Sequence, residues 1–285
     1  MKKIFKLVII SFIVIILILV YNYITLSKNV TINKDFEEYL SNAKKLTSFE
    51  ENFTIVMTMF YKNNIKNASI INGTGTIYMK NDKNLNILHS THGCCMETFT
   101  KEYYFQDKTY VCYKSINTTT NKILFNWQCL YIKDSSHSRN YKIGIKMLES
   151  LYNKSVFIFE SERNNIVSGM NCKEIKIKVN ISRLNLDDKR FLLGFAYYTN
   201  KPRKELIESI KAVDISLCID PLKGIVLQKD ISIVMDKNRL EKDDLYKIET
   251  RKTVNSFISN PEISDKVFGL PTRNFKIISY KSNSK

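Results

Sequence analysis

The sharpest chemical constellation is HSTHGCC at 89–95, where two of the chain's three histidines precede two adjacent cysteines. Imidazole nitrogens and thiolates are ligands that zinc and copper accept, so His89, His92, Cys94 and Cys95 are the candidate metal ligands. The spacing H-x-x-H-x-C-C matches no zinc signature, and adjacent cysteines reach one ion only with strain. The residues favour a loop with a vicinal disulfide, or with one cysteine bridging elsewhere, and no metal or other cofactor.

The other four cysteines predict two structural disulfides. Cys112 and Cys129 flank a segment with a polar centre, and a hairpin folded about that centre brings them opposite each other. Cys172 and Cys218 each fall on the polar phase of an alternating strand. We expect both on solvent faces, where neighbouring antiparallel strands bring thiols within bonding distance. The predicted bridges are Cys112–Cys129 and Cys172–Cys218.

Signatures of catalysis and of nucleic-acid binding are missing from the sequence. It has no H-E-x-x-H, no G-x-S-x-G, no phosphate-cradling glycine loop and no C-x-x-C. The net charge of +16 comes from lysines spread along the chain rather than from a basic run. We therefore expect a protein that is not an enzyme and does not bind nucleic acid.

The N-terminal residues predict a membrane anchor over 1–26. Three lysines precede Leu7–Val20, in which Ser11 is the single residue that is not apolar. With its flanks the run reaches the roughly 20 residues that cross a bilayer. No small-residue cleavage site follows it, which favours an uncleaved anchor over a secretory signal.

The lysines before the anchor orient it. We expect a single-pass protein of the cell membrane, with a cytoplasmic N-terminus and one mostly β domain, residues 27–285, outside. All six cysteines lie in that domain, as an oxidising compartment allows.

The remaining elements follow from periodicity. One amphipathic helix is predicted over 35–47, a second helix over 141–152, and antiparallel strands over much of the rest. Asp220-Pro221 and Gly224 predict a turn between strands at 213–219 and 225–235. The first strand alternates so that five large side chains share one face: Phe53, Ile55, Met57, Met59 and Tyr61.

The order of these elements, ending in EISDKVFGLP with Phe268 and Pro271, resembles the bacterial lipoprotein carriers of the LolA and LolB type. The resemblance covers roughly residues 35–275. It implies an α+β fold: a strongly curved antiparallel sheet, or incomplete β-barrel, with short helices on its concave side, where acyl chains bind. The cysteines and the retained anchor depart from a soluble periplasmic shuttle.

Two functions follow as expectations. The first is a membrane-anchored extracytoplasmic binding module, not an enzyme, for a lipid or other apolar ligand. Its predicted lining consists of the five residues of the first strand together with Phe191 and Phe195 from the apolar stretch FLLGFAYY. The alternative is a structural or adhesive cell-envelope protein whose core is filled by side chains. The sequence indicates no particular protein partner.

Overall fold

The computed structural model describes residues 33–62, 69–93, 95–105, 108–132, 141–196, 204–241, 245–269 and 276–279. Among these residues, no helix combines the length and the apolar character that a membrane span requires. The anchor predicted over 1–26 lies outside the described residues, and so do Cys94 and Pro271.

Twelve strands and four helices make up the described chain. The strands are β1 Ser48–Tyr61, β2 Ser69–Lys80, β3 Lys83–His92, β4 Met96–Phe105, β5 Lys108–Asn117, β6 Lys122–Ile132, β7 Phe157–Val167, β8 Met170–Val179, β9 Ile210–Asp220, β10 Ile225–Met235, β11 Leu245–Ser259 and β12 Lys276–Ser279. The helices are α1 over 33–45, α2 Tyr141–Asn153, α3 Leu186–Phe195 and α4 Lys204–Glu208. Short 3₁₀ turns span Ile181–Arg183, Lys237–Arg239 and Asp265–Phe268.

The strands form one open sheet in the order β12-β6-β5-β4-β3-β2-β1-β11-β10-β9-β8-β7. Every pairing is antiparallel except that of β12, which runs parallel to β6. The expectation of a large antiparallel sheet with short helices is confirmed, and the parallel strand is the exception. It arises because the chain crosses the sheet after β11 and reaches β6 running in the same direction.

The predicted turn after β9 has the expected geometry. Gly224 has a φ of +67°, and the Asp220 carboxylate accepts a hydrogen bond of 3.1 Å from the amide of Lys223. A Cβ at Gly224 would lie 2.3 Å from the backbone nitrogen of Ala43. Glycine is therefore required both for the turn and for the close approach of α1.

The helices pack on one face of half of the sheet. We call β1 and β7–β11 the helix-packed half, and the face that contacts the helices the helix face. There Met57, Ile215 and Ile231 join one buried cluster with apolar residues of all four helices. The strands present these residues at every second position, as one buried face of a sheet requires.

The rest of the sheet, β2–β6 and β12, is the hairpin half. Ile77 and Met79 of β2 still pack on the helix face with Phe53, and the other face of this half is covered too. Ile263 and Phe268, from the segment between β11 and β12, pack on Leu85 and Tyr103. The strand registers place Leu85 and Tyr103 on the face away from the helices, which we call the reverse face. Phe268, part of the ending noted in the sequence, is a buried residue of this cover.

Both predicted disulfides are present. Cys112 and Cys129 are directly paired across β5 and β6 with a Cα–Cα distance of 4.0 Å, and Cys172 joins Cys218 across β8 and β9 at 5.4 Å.

The prediction that Cys172 and Cys218 face solvent is wrong. They lie on the reverse face as the alternation indicates, but both are buried in an apolar cluster with Leu227 and Val254. The ladder between β9 and β10 shifts register beside Leu227, and this side chain belongs to the cluster around the bridge. Alternation correctly assigned the face, but it does not show what covers that face.

Candidate functional site

A lysine interrupts the apolar phase of β10. Ile225, Leu227, Ile231 and Ile233 occupy alternate positions of the strand, and Lys229 stands between them in the same phase. An inward lysine costs free energy unless its ammonium finds partners, because burial disfavours the charged form. Lys229 is buried, so this strand carries a charge into the interior.

A second lysine lies directly across the ladder. Lys252 of β11 pairs in register with Lys229, so the two side chains share the helix face. The Nζ atom of Lys229 is 3.9 Å from the centre of the Phe195 ring, and that of Lys252 is 4.5 Å from the centre of the Phe53 ring. Each ammonium thus contacts one aromatic face, an attraction that desolvation strengthens. We call these four residues the lysine pair site.

One acid enters the site from β1. Glu51 is buried and forms an ion pair with Lys252. Tyr39 of α1 and Tyr141 of α2 lie close enough for their pKa values to be affected by Glu51. Burial, and then the neighbouring carboxylate, raises the pKa of Tyr39, and burial raises the pKa of Tyr141 well above its ordinary value. Both phenols therefore stay neutral and cannot balance the lysine charge.

Helix α3 brings Phe195 to the site. Its first turn is held by a capping box, in which Asn185 accepts from the amide of Asp188 at 2.8 Å and Asp188 accepts from that of Asn185 at 3.1 Å. At its other end, Lys229 donates to the carbonyl of Phe195 at 2.5 Å, and Thr250 donates to that of Ala196 at 2.8 Å. Lys229 therefore also stabilises the end of a helix, where a cation is favoured.

A cavity of about 580 Å³ lies on the reverse face of the helix-packed half. It crosses β1 and β7–β11, and its charged lining residues are Glu160, Lys176, Asp214, Asp230, Glu249 and Arg251. Three of the acids already pair with bases, at distances between 2.5 and 2.7 Å: Glu160 with Lys178, Asp230 with Arg251, and Glu249 with Lys247. These pairs make the surface polar and largely self-compensated.

The helix face of the hairpin half holds a buried polar cluster. Tyr104 donates to Glu102 at 2.9 Å, and Asn86 lies 3.5 Å from the same carboxylate. Asn84 is 2% exposed, and neither its amide nitrogen nor its amide oxygen has a hydrogen-bond partner. A face lined in this way is unsuited to an acyl chain, because an apolar ligand would leave these groups unsolvated.

Comparison with known proteins gives a structural likeness alone. No protein-family model matches the chain, and no curated protein sequence matches it. Among solved structures, it is similar to LolA-type proteins. The chain aligns with the Pseudomonas aeruginosa MucA/MucB complex at a TM-score of 0.36 and 10% identity, over 84% of this chain and 60% of that one.

Two further structures are similar at the same level. MucB in complex with MucA(peri) gives a TM-score of 0.34 and 9% identity over 84% of this chain and 60% of that one. A LolA superfamily protein from Nitrosomonas europaea gives 0.31 and 9% identity, over 82% of this chain and 97% of that one. The chain thus spans about 60% of the matched MucB chains. These alignments identify no functional residue of this chain.

The seven residues predicted to line a ligand site lie on the helix face and its helices, and four of them are buried. Phe53, Ile55 and Met57 are 2%, 4% and 5% exposed, and Phe191 of α3 is also buried. The partly buried members are Met59, Tyr61 and Phe195. The sequence prediction missed Lys229 and Lys252, whose ammonium groups lie against the rings of Phe195 and Phe53. The signal that could have revealed this pair is Lys229 in the apolar phase of β10.

The two histidines of HSTHGCC lie on opposite faces of β3, because their positions in the strand differ by three, an odd number. His89 stacks on Phe99 with ring centres 4.3 Å apart, whereas His92 contacts Ser90 at 3.2 Å. Burial lowers the pKa of His92 and so disfavours its charged form. These two imidazoles cannot bind one ion together, and the described residues contain no cluster of three metal-ligating side chains.

Proposed function

We propose that the chain is a non-enzymatic binding module that acts outside the cytoplasm, tethered by residues 1–26, and that its ligand is a lipid or other apolar molecule with an acidic group. Support for the compartment comes from the two disulfides, which persist where the surroundings are oxidising. Support for the ligand class comes from the interior of the helix-packed half.

The observation that carries the proposal is the lysine pair site. Lys252 forms an ion pair with the buried carboxylate of Glu51, Lys229 donates to the Phe195 carbonyl, and both ammonium groups lie against aromatic rings beside the apolar clusters of the helix face. An acyl chain suits the apolar surroundings, and a carboxylate or phosphate suits the lysines. Entry requires displacement of α3, whose end is held on the sheet by Lys229 and Thr250. The acidic group of the ligand would then replace the Phe195 carbonyl as the acceptor for Lys229.

The second candidate, a structural or adhesive envelope protein, is favoured by a different observation. The first-strand residues Phe53, Ile55 and Met57 are packed by other side chains of the protein. In that case Lys229 acts as a helix cap and the ligand does not exist. The two functions differ in whether the interior opens to an acyl chain.

Photo-crosslinking tests the proposal directly. Full-length protein in nanodiscs is labelled with a diazirine fatty acid, and the adducts are mapped by peptide mass spectrometry. We expect adducts on β1 and α3, lost in Lys229→Met and Lys252→Met and retained in Lys247→Met, which removes a lysine paired on the reverse face. Methionine keeps the apolar stem while removing the charge. If the folded wild-type protein forms no adduct on β1 or α3, the binding function is wrong and the structural or adhesive function, with a core filled by side chains, replaces it.

A further inference from the structure

The start of β6 exposes three apolar residues in succession. Ile123, Leu124 and Phe125 are 51%, 44% and 50% exposed. The ladder between β5 and β6 shifts register here and pairs Phe125 with Ser115 and Ile123 with Ile116. Because Ser115 and Ile116 are successive residues of β5 and point to opposite faces, a contact on one face cannot cover all three apolar residues. Water or another surrounding medium must contact both faces of the hairpin here. Singly exposed apolar residues need no explanation, but a contiguous patch indicates an interaction surface.

The charge of this hairpin has one sign. Residues 108–132 contain Lys108, Lys114 and Lys122 and neither an aspartate nor a glutamate. The turn at 118–121 between the strands is formed by three threonines and an asparagine, which are exposed and uncharged. Apolar residues flanked by lysines complement a surface that is apolar inside and negatively charged at its boundary.

The neighbouring structure leaves this end accessible and holds it in place. Strand β12 pairs with Gln128–Tyr131, so no described strand lies beside residues 122–127 on the outer side of β6. The turn also contacts the next one, since Thr118 donates to the carbonyl of Cys95 at 3.0 Å. Ile70, 45% exposed, lies at the same end of the sheet. The Cys112–Cys129 bridge fixes the base of the hairpin.

We propose that the tip of the β5–β6 hairpin inserts into the surface of an anionic lipid bilayer. Ile123, Leu124 and Phe125 enter the boundary of the acyl region, while Lys114 and Lys122 contact the headgroups. A bilayer surrounds a hairpin tip and therefore covers both of its faces, which a protein strand added to the edge of β6 does not. This contact is separate from the N-terminal anchor and does not rest on the ligand proposed for the lysine pair site.

The protein contains its own reporter for this contact. Trp127, the single tryptophan of the chain, lies two residues after Phe125. Full-length protein is added to vesicles of phosphatidylcholine, with and without phosphatidylglycerol, whose acyl chains are brominated. We expect a blue shift and quenching of the tryptophan emission, stronger with the anionic lipid. Quenching requires Trp127 to lie near the acyl chains, so anchoring by residues 1–26 alone does not produce it.

Three variants make the result specific. The triple change Ile123→Ser, Leu124→Ser and Phe125→Ser should abolish the quenching, while Lys114→Gln with Lys122→Gln should remove its dependence on anionic lipid. The matched control is Ile158→Ser with Ile166→Ser, which removes two exposed apolar residues of β7 and should leave the quenching unchanged. Circular dichroism and the unfolding temperature establish that the triple variant is folded.

Two outcomes would overturn the proposal. The first is tryptophan emission that brominated lipid leaves unchanged, or that it quenches equally in the wild-type protein and in the folded triple variant. The second is emission that shifts with protein concentration in the absence of lipid, which would assign the hairpin to contact between copies of the chain instead.

Discussion

The two halves of the sheet are polar on opposite faces. In the helix-packed half, apolar residues line the helix face and acid–base pairs line the reverse face. In the hairpin half, Asn84, Asn86 and Glu102 line the helix face, and the apolar cluster around Leu85 and Tyr103 lies on the reverse face. Ile263 and Phe268 cover the reverse face of the hairpin half, and its helix face is buried as well. The sheet thus has an apolar interior on each face, and the one on the helix face extends from β1 onto Ile77 and Met79 of β2.

The largest effect should come from placing a charge on the apolar side of the helix-packed half. Met57→Asp buries a carboxylate in the main cluster and should destabilise the protein by about 4 kcal/mol or more. Val56→Asp, one residue earlier, puts the same charge on the reverse face opposite Arg251 and should change stability by less than about 1 kcal/mol. Chemical denaturation of both variants measures the difference. Equal losses would contradict the assignment of faces.

Removing one disulfide at a time should show that the two halves of the sheet open independently. Cys172→Ala with Cys218→Ala opens a loop of 46 residues and should cost about 4 kcal/mol, against about 3 kcal/mol for the 17-residue loop of Cys112→Ala with Cys129→Ala. Amide hydrogen exchange should show faster opening of β8 and β9 in the first variant and of β5 and β6 in the second. Uniform loss of protection in either variant would show that the halves unfold together.

The polar interior of the hairpin half should respond in opposite ways at two neighbouring positions. Asn84→Leu removes an amide without partners and should stabilise the protein by about 1 kcal/mol. Asn86→Leu takes a hydrogen-bond donor from buried Glu102 and should destabilise it by about 1–3 kcal/mol. Thermal unfolding provides the measurement. Destabilisation by Asn84→Leu would indicate that the amide binds water or a small polar ligand.

The smallest effect is a pH dependence of stability that arises from one contact between helices, that of Tyr152 in α2 with Glu37 in α1. Burial, together with its hydrogen bond to Glu37, raises the pKa of Tyr152 from 10.0 to about 12. A folded-state pKa above the unfolded value contributes stability that is complete below pH 10 and is lost as pH rises through 12. Unfolding measured between these values should show this loss in the wild-type protein and a flatter profile in Tyr152→Phe. Identical profiles would exclude a contribution from the pair.

Local patterns predicted much of this molecule. The phase of β1 identified its buried face, the turn chemistry placed Gly224, and the hairpin symmetry paired Cys112 with Cys129. Each of these features depends on residues close together in the chain. The burial of Cys218 was not predicted, because it depends on Val254 and on side chains from several other strands.

The lysine pair and the change of polar face also needed long-range information. Lys229 and Lys252 become neighbours through the register of β10 with β11. Asn84 and Glu102 occupy positions that alternation predicts to be polar and half-exposed, yet both are buried. Alternation distinguishes the two faces of a strand but does not say which of them is inside, so the sequence assigned one interior where the fold has two.

The C-terminal segment serves both halves, and this sets the order in which the chain can fold. β1 pairs with β11 about 200 residues later, for example Met57 with Thr250, whereas β2 to β6 pair with their immediate neighbours in sequence. Contacts between distant residues form slowly because a long loop must close first. The meander of the hairpin half can therefore assemble early and include β1, which pairs with β2, while the other edge of β1 pairs with β11 from the far end of the chain. When that end arrives, β11 completes the helix-packed half, and the residues after it cover the meander, so both interiors close in one late step.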